Sequence, residues 1–273
     1  MIRKLDRTIS YVVLNVAAVI ALVPFLGVIT LSLGVPGQVG STLSLTNATH
    51  WRNFISVWQK GGFGSSMRTS TIITVIVVVG SVVLSVPAGY ALALMRFRGR
   101  TVTFLIFVFG LLIPLEAMII PLYFDLRRLG LADNYWSVIL PDIGFSVAFG
   151  AFWMRAFFLT SSRTLLEAAK IDGANSFQTL IRILMPLARP QILTLTVLFF
   201  VWNWNDFLLP LVMLSGSSLQ TAPMSLVFFQ GQHTTDYTYL AAASLITIVP
   251  VIIVYVSLQR SFTQGILEGG VKG

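Results

Sequence analysis

Five consecutive residues in the last third of the chain have side chains that suit the recognition of a hydroxyl-rich solute. They are Trp202, Asn203, Trp204, Asn205 and Asp206. Aromatic faces pack against the apolar side of a sugar ring, and short amide and carboxylate groups exchange hydrogen bonds with its hydroxyls. A structural interpretation stays open beside this one, because Trp is common at membrane interfaces and Asn and Asp bond across helices or to backbone freed near Pro210.

Residues for catalysis or metal binding are sparse. The two histidines, His50 and His233, have no companions at ligand spacing, and the sequence contains no cysteine, so no metal site is predicted. A Gly-x4-Gly-Lys-Ser/Thr phosphate loop is also missing from the sequence. We therefore expect no catalytic residues and no cofactor on this chain.

The composition is that of a polytopic membrane protein. Hydrophobic residues make up 56% of the 273 residues and charged residues only 10%, with a mean hydropathy of +0.85, whereas soluble domains carry about 25% charge. Charge-free runs longer than the roughly 20 residues of a membrane helix anchor the assignment. The sequence predicts an all-α fold with six transmembrane helices in one domain, at about 10–33, 67–95, 101–124, 135–157, 190–213 and 239–260.

Three of these spans each contain one acidic residue, namely Glu116, Asp142 and Asp206. Acids inside a membrane are costly and are candidates for function. At a rise of about 1.5 Å per residue along each span, all three acids lie in the outer part of the bilayer. This position favours an outward-opening vestibule over a proton relay at the midplane. The predicted translocation path consists of Glu116, Trp202, Asn203, Asn205 and Asp206.

The basic residues are distributed unevenly over the two sides of the predicted membrane domain. Thirteen of the 18 Lys and Arg residues lie on the side of both chain ends, which the positive-inside rule assigns to the cytoplasm. The apolar run after Arg3, Lys4 and Arg7 is longer than the core of a signal peptide, and we expect it to be a retained anchor. The net charge of +8 follows from this topology, so no nucleic-acid partner is needed to explain it.

A polar loop at 160–189 separates the fourth and fifth spans on the cytoplasmic side. Thr164 and Glu167 fit a capping box, and Gly173 suits a left-handed helix end. Asn175 or Ser176 would cap a second helix, which Pro186 would stop. The apolar residues of that helix recur at helical spacing: Phe177, Leu180, Ile181 and Leu184. This stripe either folds onto its own membrane domain or docks to another protein, and spacing alone leaves both open.

The same loop resembles a known motif. Glu167, Ala168, Ala169, Gly173, Ile183 and Pro186 are spaced as in the EAA motif of the permease subunits of bacterial ABC importers, with Met185 in place of the usual Leu. Other stretches are similar to the maltose-type carbohydrate permeases, specifically the shorter six-span partner. They are FRGR at 97–100, IIPLY at 119–123, LGLADNYW at 129–136, WNDFLLPL at 204–211, FQGQ at 229–232 and the final GGVKG.

The resemblance implies a type I ABC importer permease fold in a bacterial inner membrane, with both termini cytoplasmic. It implies that the loop is a coupling element that docks into a cytoplasmic ATPase, with Glu167 pairing with a basic group and Gly173 setting a bend. The implied partners are a second permease in a heterodimer, two ATPase subunits that bind ATP and Mg²⁺, a solute-binding protein, membrane lipid and a carbohydrate substrate.

Two outer segments are also interpreted. The family implies that Gln230, Gly231 and Gln232 reach into the solute-binding protein, while a re-entrant connector is the alternative. Between 34 and 66, helical spacing predicts an amphipathic surface helix, and its apolar residues are Trp51, Phe54, Ile55 and Trp58. On the cytoplasmic side, the resemblance implies that the glycine-rich tail at 264–273 contacts the ATPase dimer.

Competing functions remain open at this stage. Within the family, the solute could be glycerol phosphate or another compound instead of a carbohydrate. Outside it, an ion-coupled secondary transporter would need a coupling-ion site and broken helices in both halves of the chain. A membrane-bound enzyme is the third interpretation, and the isolated histidines argue against it.

Overall fold

The computed structural model of the chain describes residues 4–37, 49–231 and 235–270. The fold in these ranges is all-α. Besides α-helices and turns it contains a π-helical segment at Thr179–Leu184, a 3₁₀ turn at Val227–Phe229 and a single bridge between Gln230 and Thr235. The α-helices are α1 Lys4–Ser32, α2 Arg52–Lys60, α3 Phe63–Leu94, α4 Arg100–Leu112, α5 Leu115–Arg128, α6 Tyr135–Leu159, α7 Arg163–Ile171, α8 Ser176–Gln178, α9 Met185–Leu187, α10 Arg189–Asn205, α11 Leu208–Met213, α12 Ala222–Leu226 and α13 Tyr237–Gly270.

Four of these helices contain an unbroken apolar stretch long enough to cross a membrane. The stretches are Ile9–Ser32, Phe63–Leu94, Tyr135–Leu159 and Tyr237–Gln259. Two further pairs pass the same test when taken together, but each is bent, by 101° between α4 and α5 and by 78° between the Ser176–Leu187 segment and α10. If each bent pair counts as one span, the described residues provide six.

The bend in the third predicted span, 101–124, falls at Ile113 and Pro114. Proline has no N–H for the helical ladder and keeps the residue before it extended. Ile113 accordingly has ψ 120° and Pro114 has ψ 124°. Since α5 leaves α4 at 101°, the straight-helix depth predicted for Glu116 is wrong. The fifth predicted span, 190–213, is interrupted in a similar way, because Asp206 is extended, with ψ 127°, between α10 and α11.

The described residues form two compact units, within Met1–Met67 plus Ala222–Val249 and within Arg68–Thr221 plus Pro250–Gly273. In the second unit α6 packs against α4, α10 and α11. Its larger apolar cluster is built from Val86 and Tyr90 of α3, Met154 and Phe158 of α6 and Phe199 of α10, among others. The core of this unit therefore surrounds α6, which has buried residues along its whole length.

Glycines bring α3 and α6 close together in the second unit. A Cβ on Gly89 would lie 2.5 Å from the Met154 Cβ and 2.8 Å from the Arg155 backbone nitrogen. A Cβ on Gly150 would overlap the Ser85 side chain. Small residues let membrane helices approach closely, so these two positions set the contact between α3 and α6.

Two arginines hold the carboxyl end of α3. Arg100 donates hydrogen bonds of 2.7 Å to the Leu92 carbonyl and 2.6 Å to the Ala93 carbonyl. Arg155 donates to the same Leu92 oxygen at 3.3 Å, and its guanidinium lies 3.9 Å from the centre of the Phe104 ring. Cations at a helix carboxyl end satisfy free carbonyls and oppose the helix dipole, which gives the FRGR stretch a structural role.

The first unit confirms the predicted amphipathic helix as α2. Asn53 is buried and its amide donates 2.9 Å hydrogen bonds to the carbonyls of Ser32 and Gly34 beyond the end of α1. Val57 packs with Phe63 and Phe229 in the core of this unit. The opposite face is exposed and apolar, with Trp51 at 69% and Ile55 at 61% of their full exposure.

Candidate functional site

The polar loop at 160–189 contains two helical segments, as predicted, but the first begins differently. Helix α7 starts at Arg163 after Ser162, which has the extended backbone of a cap residue and makes no side-chain cap hydrogen bond. Thr164 therefore lies inside the first turn, where it cannot act as the N-cap. The predicted capping box of Thr164 and Glu167 is wrong.

The turn between the two segments closes on Gly173. This residue has φ +76°, the left-handed conformation that glycine adopts without strain. The N–H of Ala174 donates to the Ala169 carbonyl at 2.9 Å, and the N–H of Gly173 donates to the Lys170 carbonyl at 3.1 Å. These two bonds are a Schellman motif, and they confirm the predicted left-handed helix end.

The second segment begins with a full capping box. Asn175 Oδ1 accepts a 2.9 Å hydrogen bond from the Gln178 N–H, and Gln178 Oε1 accepts one of 3.0 Å from the Asn175 N–H. The segment then takes π-type hydrogen bonding and continues through Pro186 as α9. Pro186 therefore does not stop it, because at the start of α9 its missing N–H costs no bond. The break comes at Ala188, where α10 turns away by 78°.

The apolar stripe of the second segment divides into two faces. Leu180 and Leu184 are 5% and 0% exposed and pack with Tyr90, Met154 and Phe158 in the core of the second unit. Phe177 points the other way and is 71% exposed, and Ile171 at the end of α7 is 86% exposed. One face of the stripe therefore folds onto the chain's own core, and the exposed face leaves docking to another protein as a prediction.

The residues of the EAA pattern divide in the same way. Ala169 is buried, at 3% exposure, and its neighbour Leu166 packs against the core. Glu167 and Ala168 are exposed, Ile183 is half-buried and Pro186 is exposed. The ion pair that the described residues show, between Arg128 and Asp125, does not involve Glu167. The outer face of the loop thus presents exposed apolar side chains beside two exposed carboxylates, Glu167 and Asp172.

A cavity of about 380 Å³ lies in the second unit beside both helix breaks. Its walls come from the end of α4 and the start of α5, one face of α6, and the end of α10. The lining residues are Gly110, Leu111, Ile113, Leu115, Asp142, Phe145, Ser146, Phe149, Trp202, Asn203 and Asp206. Backbone that is not helical at membrane depth is tolerated where it lines a cavity, and Ile113 and Asp206 are such positions.

Two carboxylates of this cavity are incompletely hydrogen-bonded. Asp142 is only 5% exposed and its Oδ2 has no hydrogen-bond partner. Asp206 lies at the break between α10 and α11, and its Oδ2 is likewise buried without a hydrogen-bond partner. Buried polar atoms are nearly always paired in folded proteins, so these two oxygens mark a site for hydrogen-bond donors.

The cavity contains three of the five residues predicted for the translocation path: Trp202, Asn203 and Asp206. Asn205 is exposed and donates to the Val201 carbonyl at 2.8 Å, away from the lining. Glu116 is exposed and is not part of the lining, although its charge acts on Asp206. Trp204 is buried and stacks on Phe200, with ring centres 5.6 Å apart.

The α6 wall of the cavity was not predicted. It consists of Asp142, Phe145, Ser146 and Phe149, whose spacing of three, one and three residues follows one face of a helix. Sequence reasoning noted Asp142 as an acid inside a span but did not group it with the site. The helical spacing of polar and aromatic residues around it was the available signal.

The outer loop predicted to contact a solute-binding protein is described only in part. Gln230 and Gly231 are exposed, and Gln230 forms an isolated antiparallel bridge with Thr235. Gln232 lies outside the described residues, as do 271–273 of the C-terminal tail. Phe229, directly before Gln230, is 5% exposed and packs with Val57 and Phe63.

Comparison with known proteins gives a consistent family. The model of the family described as "Binding-protein-dependent transport system inner membrane component" matches residues 85–268. The chain is 35% identical over 234 residues to the arabinooligosaccharides transport system permease protein AraQ of Halalkalibacterium halodurans, covering 85% of this chain and 81% of that protein. It is 29% identical over 269 residues to the sn-glycerol-3-phosphate transport system permease protein UgpE of Pectobacterium atrosepticum, covering 95% of each.

A solved structure is also similar. One chain of a bacterial ABC transporter involved in the import of the acidic polysaccharide alginate superposes with a TM-score of 0.76 at 27% sequence identity. The match covers 95% of this chain and 97% of that chain. The all-α architecture with its bent helix pairs is therefore the fold of an ABC importer permease.

Proposed function

This chain belongs to the family of binding-protein-dependent transport system inner membrane components, and we propose that it is the permease subunit of an ATP-driven carbohydrate importer. It forms the translocation path as a heterodimer with a second permease. Two cytoplasmic ATPase subunits bind ATP and Mg²⁺ and hydrolyse the nucleotide, and a solute-binding protein delivers the substrate. This chain binds no cofactor and catalyses no reaction.

The observation that carries this proposal is the outer face of the loop at 160–189. Ile171 and Phe177 are among the most exposed apolar side chains of the second unit, and Glu167 beside them has no ion-pair partner among the described residues. Exposed apolar groups with a charge at their edge are typical of a protein interface. The inner face of the loop packs into the core, so a force applied at the outer face reaches the membrane helices directly.

The distribution of basic residues supports the placement of this loop in the cytoplasm together with both chain ends. In that orientation the chain is a multi-pass protein of the bacterial inner membrane, surrounded by lipid and with no nucleic-acid partner. The exposed apolar residues of α1, from Ile9 to Ile29, face lipid or the second permease.

The carbohydrate assignment rests on the relatives. AraQ is named for arabinooligosaccharides and the structural neighbour for alginate, and both substrates are saccharides. UgpE is named for sn-glycerol-3-phosphate, which makes glycerol phosphate the second candidate solute for this family member.

An ion-coupled secondary transporter is the other class to consider. Broken helices beside buried acids are typical of such proteins, and the breaks at Pro114 and Asp206 with the nearby Asp142 fit that description. Membership in a binding-protein-dependent transport family supports the ABC importer over this class.

On the outer side, we assign contact with the solute-binding protein to Gln230, Gly231 and Gln232. The exposure of Gln230 and Gly231 supports this role. The exposed apolar face of α2 provides a second surface of the same kind, with Trp51 and Ile55.

Reconstitution tests the proposal. The chain is co-expressed with the second permease and the ATPase, purified, and placed in liposomes with the binding protein and labelled sugar. Uptake is expected to require ATP on the side of the liposome membrane that carries the ATPase. It is expected to continue when a protonophore collapses the proton gradient. Uptake that persists without ATP and stops with the protonophore would overturn the proposal.

A further inference from the structure

The cavity beside the two helix breaks has a chemical character that narrows the solute beyond the family assignment. Asp142 and Asp206 both line it, and none of its lining residues is a Lys, Arg or His. The wall is therefore acidic, with no basic residue to compensate it.

The hydrogen bonding of the two acids also points to a ligand. Asp142 is 95% removed from solvent, since its exposure is 5%, and its Oδ2 has no partner. The Asp206 Oδ2 is in the same state. A buried acceptor without a donor is unfavourable, and these acceptors lie in a cavity whose volume falls in the usual range for small-molecule sites.

The rest of the wall suits a ring with an apolar face. The rings of Phe149 and Trp202 have centres 4.9 Å apart and meet edge to face, and both line the cavity. Asn203 and Ser146 add short polar groups to the same surface. A saccharide offers what this wall lacks, because its hydroxyls donate to carboxylates and its ring carbons pack on aromatic faces.

We propose that this cavity is a solute subsite of the translocation path that accepts a neutral saccharide and excludes anionic solutes such as phosphate esters and uronates. The proposal rests on the proposed function and selects among its solutes. Like charges repel strongly where water is scarce, so a phosphate or carboxylate group entering the cavity is opposed by Asp142 and Asp206. A neutral sugar meets no such barrier.

The test measures the charge of the cavity without relying on uptake. The chain has no cysteine, so Gly110→Cys creates a single thiol in the lining. A Cβ at Gly110 meets no atom within 4 Å, and the same is true of Gly144, which is on α6 outside the lining and serves as the control. Each variant is assembled with its partner subunits in nanodiscs and treated with cationic or anionic methanethiosulfonates of similar size.

At Gly110→Cys, we expect the ratio of cationic to anionic modification rates to exceed the ratio at Gly144→Cys by about tenfold or more. Adding Asp142→Asn or Asp206→Asn should bring this ratio several-fold closer to the control. Asn keeps the shape of Asp and caps a helix equally well, so either variant serves if the other fails to assemble. Equal ratios at the two positions, or a ratio that neither substitution changes, would overturn the proposal.

A protection assay with the same variant tests the solute class. A neutral disaccharide should slow modification of Gly110→Cys at concentrations at which a uronic acid disaccharide and glycerol 3-phosphate have no effect. Equal protection by the neutral and the anionic compounds would also overturn the proposal. Since neither readout needs ATP, a failure here is distinguishable from a failure of ATP-driven transport.

Discussion

The backbone N–H of Gly216 donates a 2.7 Å hydrogen bond to Oδ1 of Asp133, which lies 83 residues earlier in the chain. The N–H of Asp133 in turn donates to the Met213 carbonyl at 3.0 Å. Asp133 has φ +59°, a conformation that Asp and Asn tolerate better than other side chains. This contact joins the loop before α6 to the loop after α11.

We expect Asp133→Ala to destabilise the protein by about 1–2 kcal/mol, because it removes the hydrogen bond and leaves alanine in a left-handed conformation. Asp133→Asn is the matched control, since it keeps an acceptor oxygen and tolerates that φ. Thermal unfolding of the two variants in detergent measures the difference. An unfolding midpoint for Asp133→Ala equal to that of the natural chain would show that this contact does not stabilise the protein.

Gly89→Ala tests the close contact of α3 with α6. Its new Cβ would lie 2.5 Å from the Met154 Cβ and 2.8 Å from a backbone nitrogen, and overpacking of this kind costs about 1–3 kcal/mol. Gly144→Ala in α6 meets no neighbour and is expected to be neutral or slightly stabilising. In parallel thermal unfolding measurements, the midpoint of Gly89→Ala should fall, while that of Gly144→Ala stays the same or rises slightly. A Gly89→Ala protein as stable as the control would show that the helices are further apart than described.

Asn175→Ala should loosen the second segment of the loop. The capping box with Gln178 is lost, which costs about 1 kcal/mol, so amide hydrogen exchange over 176–184 should speed up roughly fivefold. Asn175→Ser retains a capping oxygen and is expected to exchange nearly as slowly as the natural chain. If exchange in the alanine variant stays unchanged, the packing of Leu180 and Leu184 alone holds this segment.

Gly173→Asp should separate ATP hydrolysis from uptake while membrane insertion stays normal. Among the described residues other than its two chain neighbours, no atom lies within 4 Å of the new Cβ, so the membrane domain has no steric reason to change. The substitution does strain a backbone with φ +76° and adds a negative charge near Glu167 on the docking face. Gly173→Asn carries the same strain with no charge, and we expect it to be the milder variant. Normal uptake by Gly173→Asp would show that the turn is not a coupling element.

The sequence predicted those features that depend on local chemistry. Hydrophobic run length located the apolar helices, the Gly173 turn follows from the conformational freedom of glycine, and the cap at Asn175 follows from its hydrogen-bonding side chain. The amphipathic helix α2 was predicted from the spacing of Trp51 and Ile55. Each of these depends on neighbouring residues only.

The rest depended on contacts between distant residues. Run length cannot reveal that the third span bends by 101° at Pro114, because a membrane proline can also sit in a merely kinked helix. Nor can spacing say which half of a stripe faces inward, and Leu180 and Phe177 differ only through the core that receives Leu180. The α6 wall with Asp142 lines the cavity because α6 packs against α10, a contact that the local sequence does not reveal.

Thiol labelling at Ile171 measures whether the outer face of the loop at 160–189 docks to an ATPase. In the cysteine-free chain, Ile171→Cys replaces a residue that is 86% exposed, and Leu129→Cys replaces a control residue that is 72% exposed. The maleimide labelling rate of each is measured in the permease pair alone and after the ATPase has been bound. We predict that ATPase binding slows labelling of Ile171→Cys at least about tenfold, because a docked interface excludes solvent, and leaves Leu129→Cys unchanged. If Ile171→Cys in the assembled complex is labelled as fast as in the permease pair alone, the ATPase does not dock on this face of the loop.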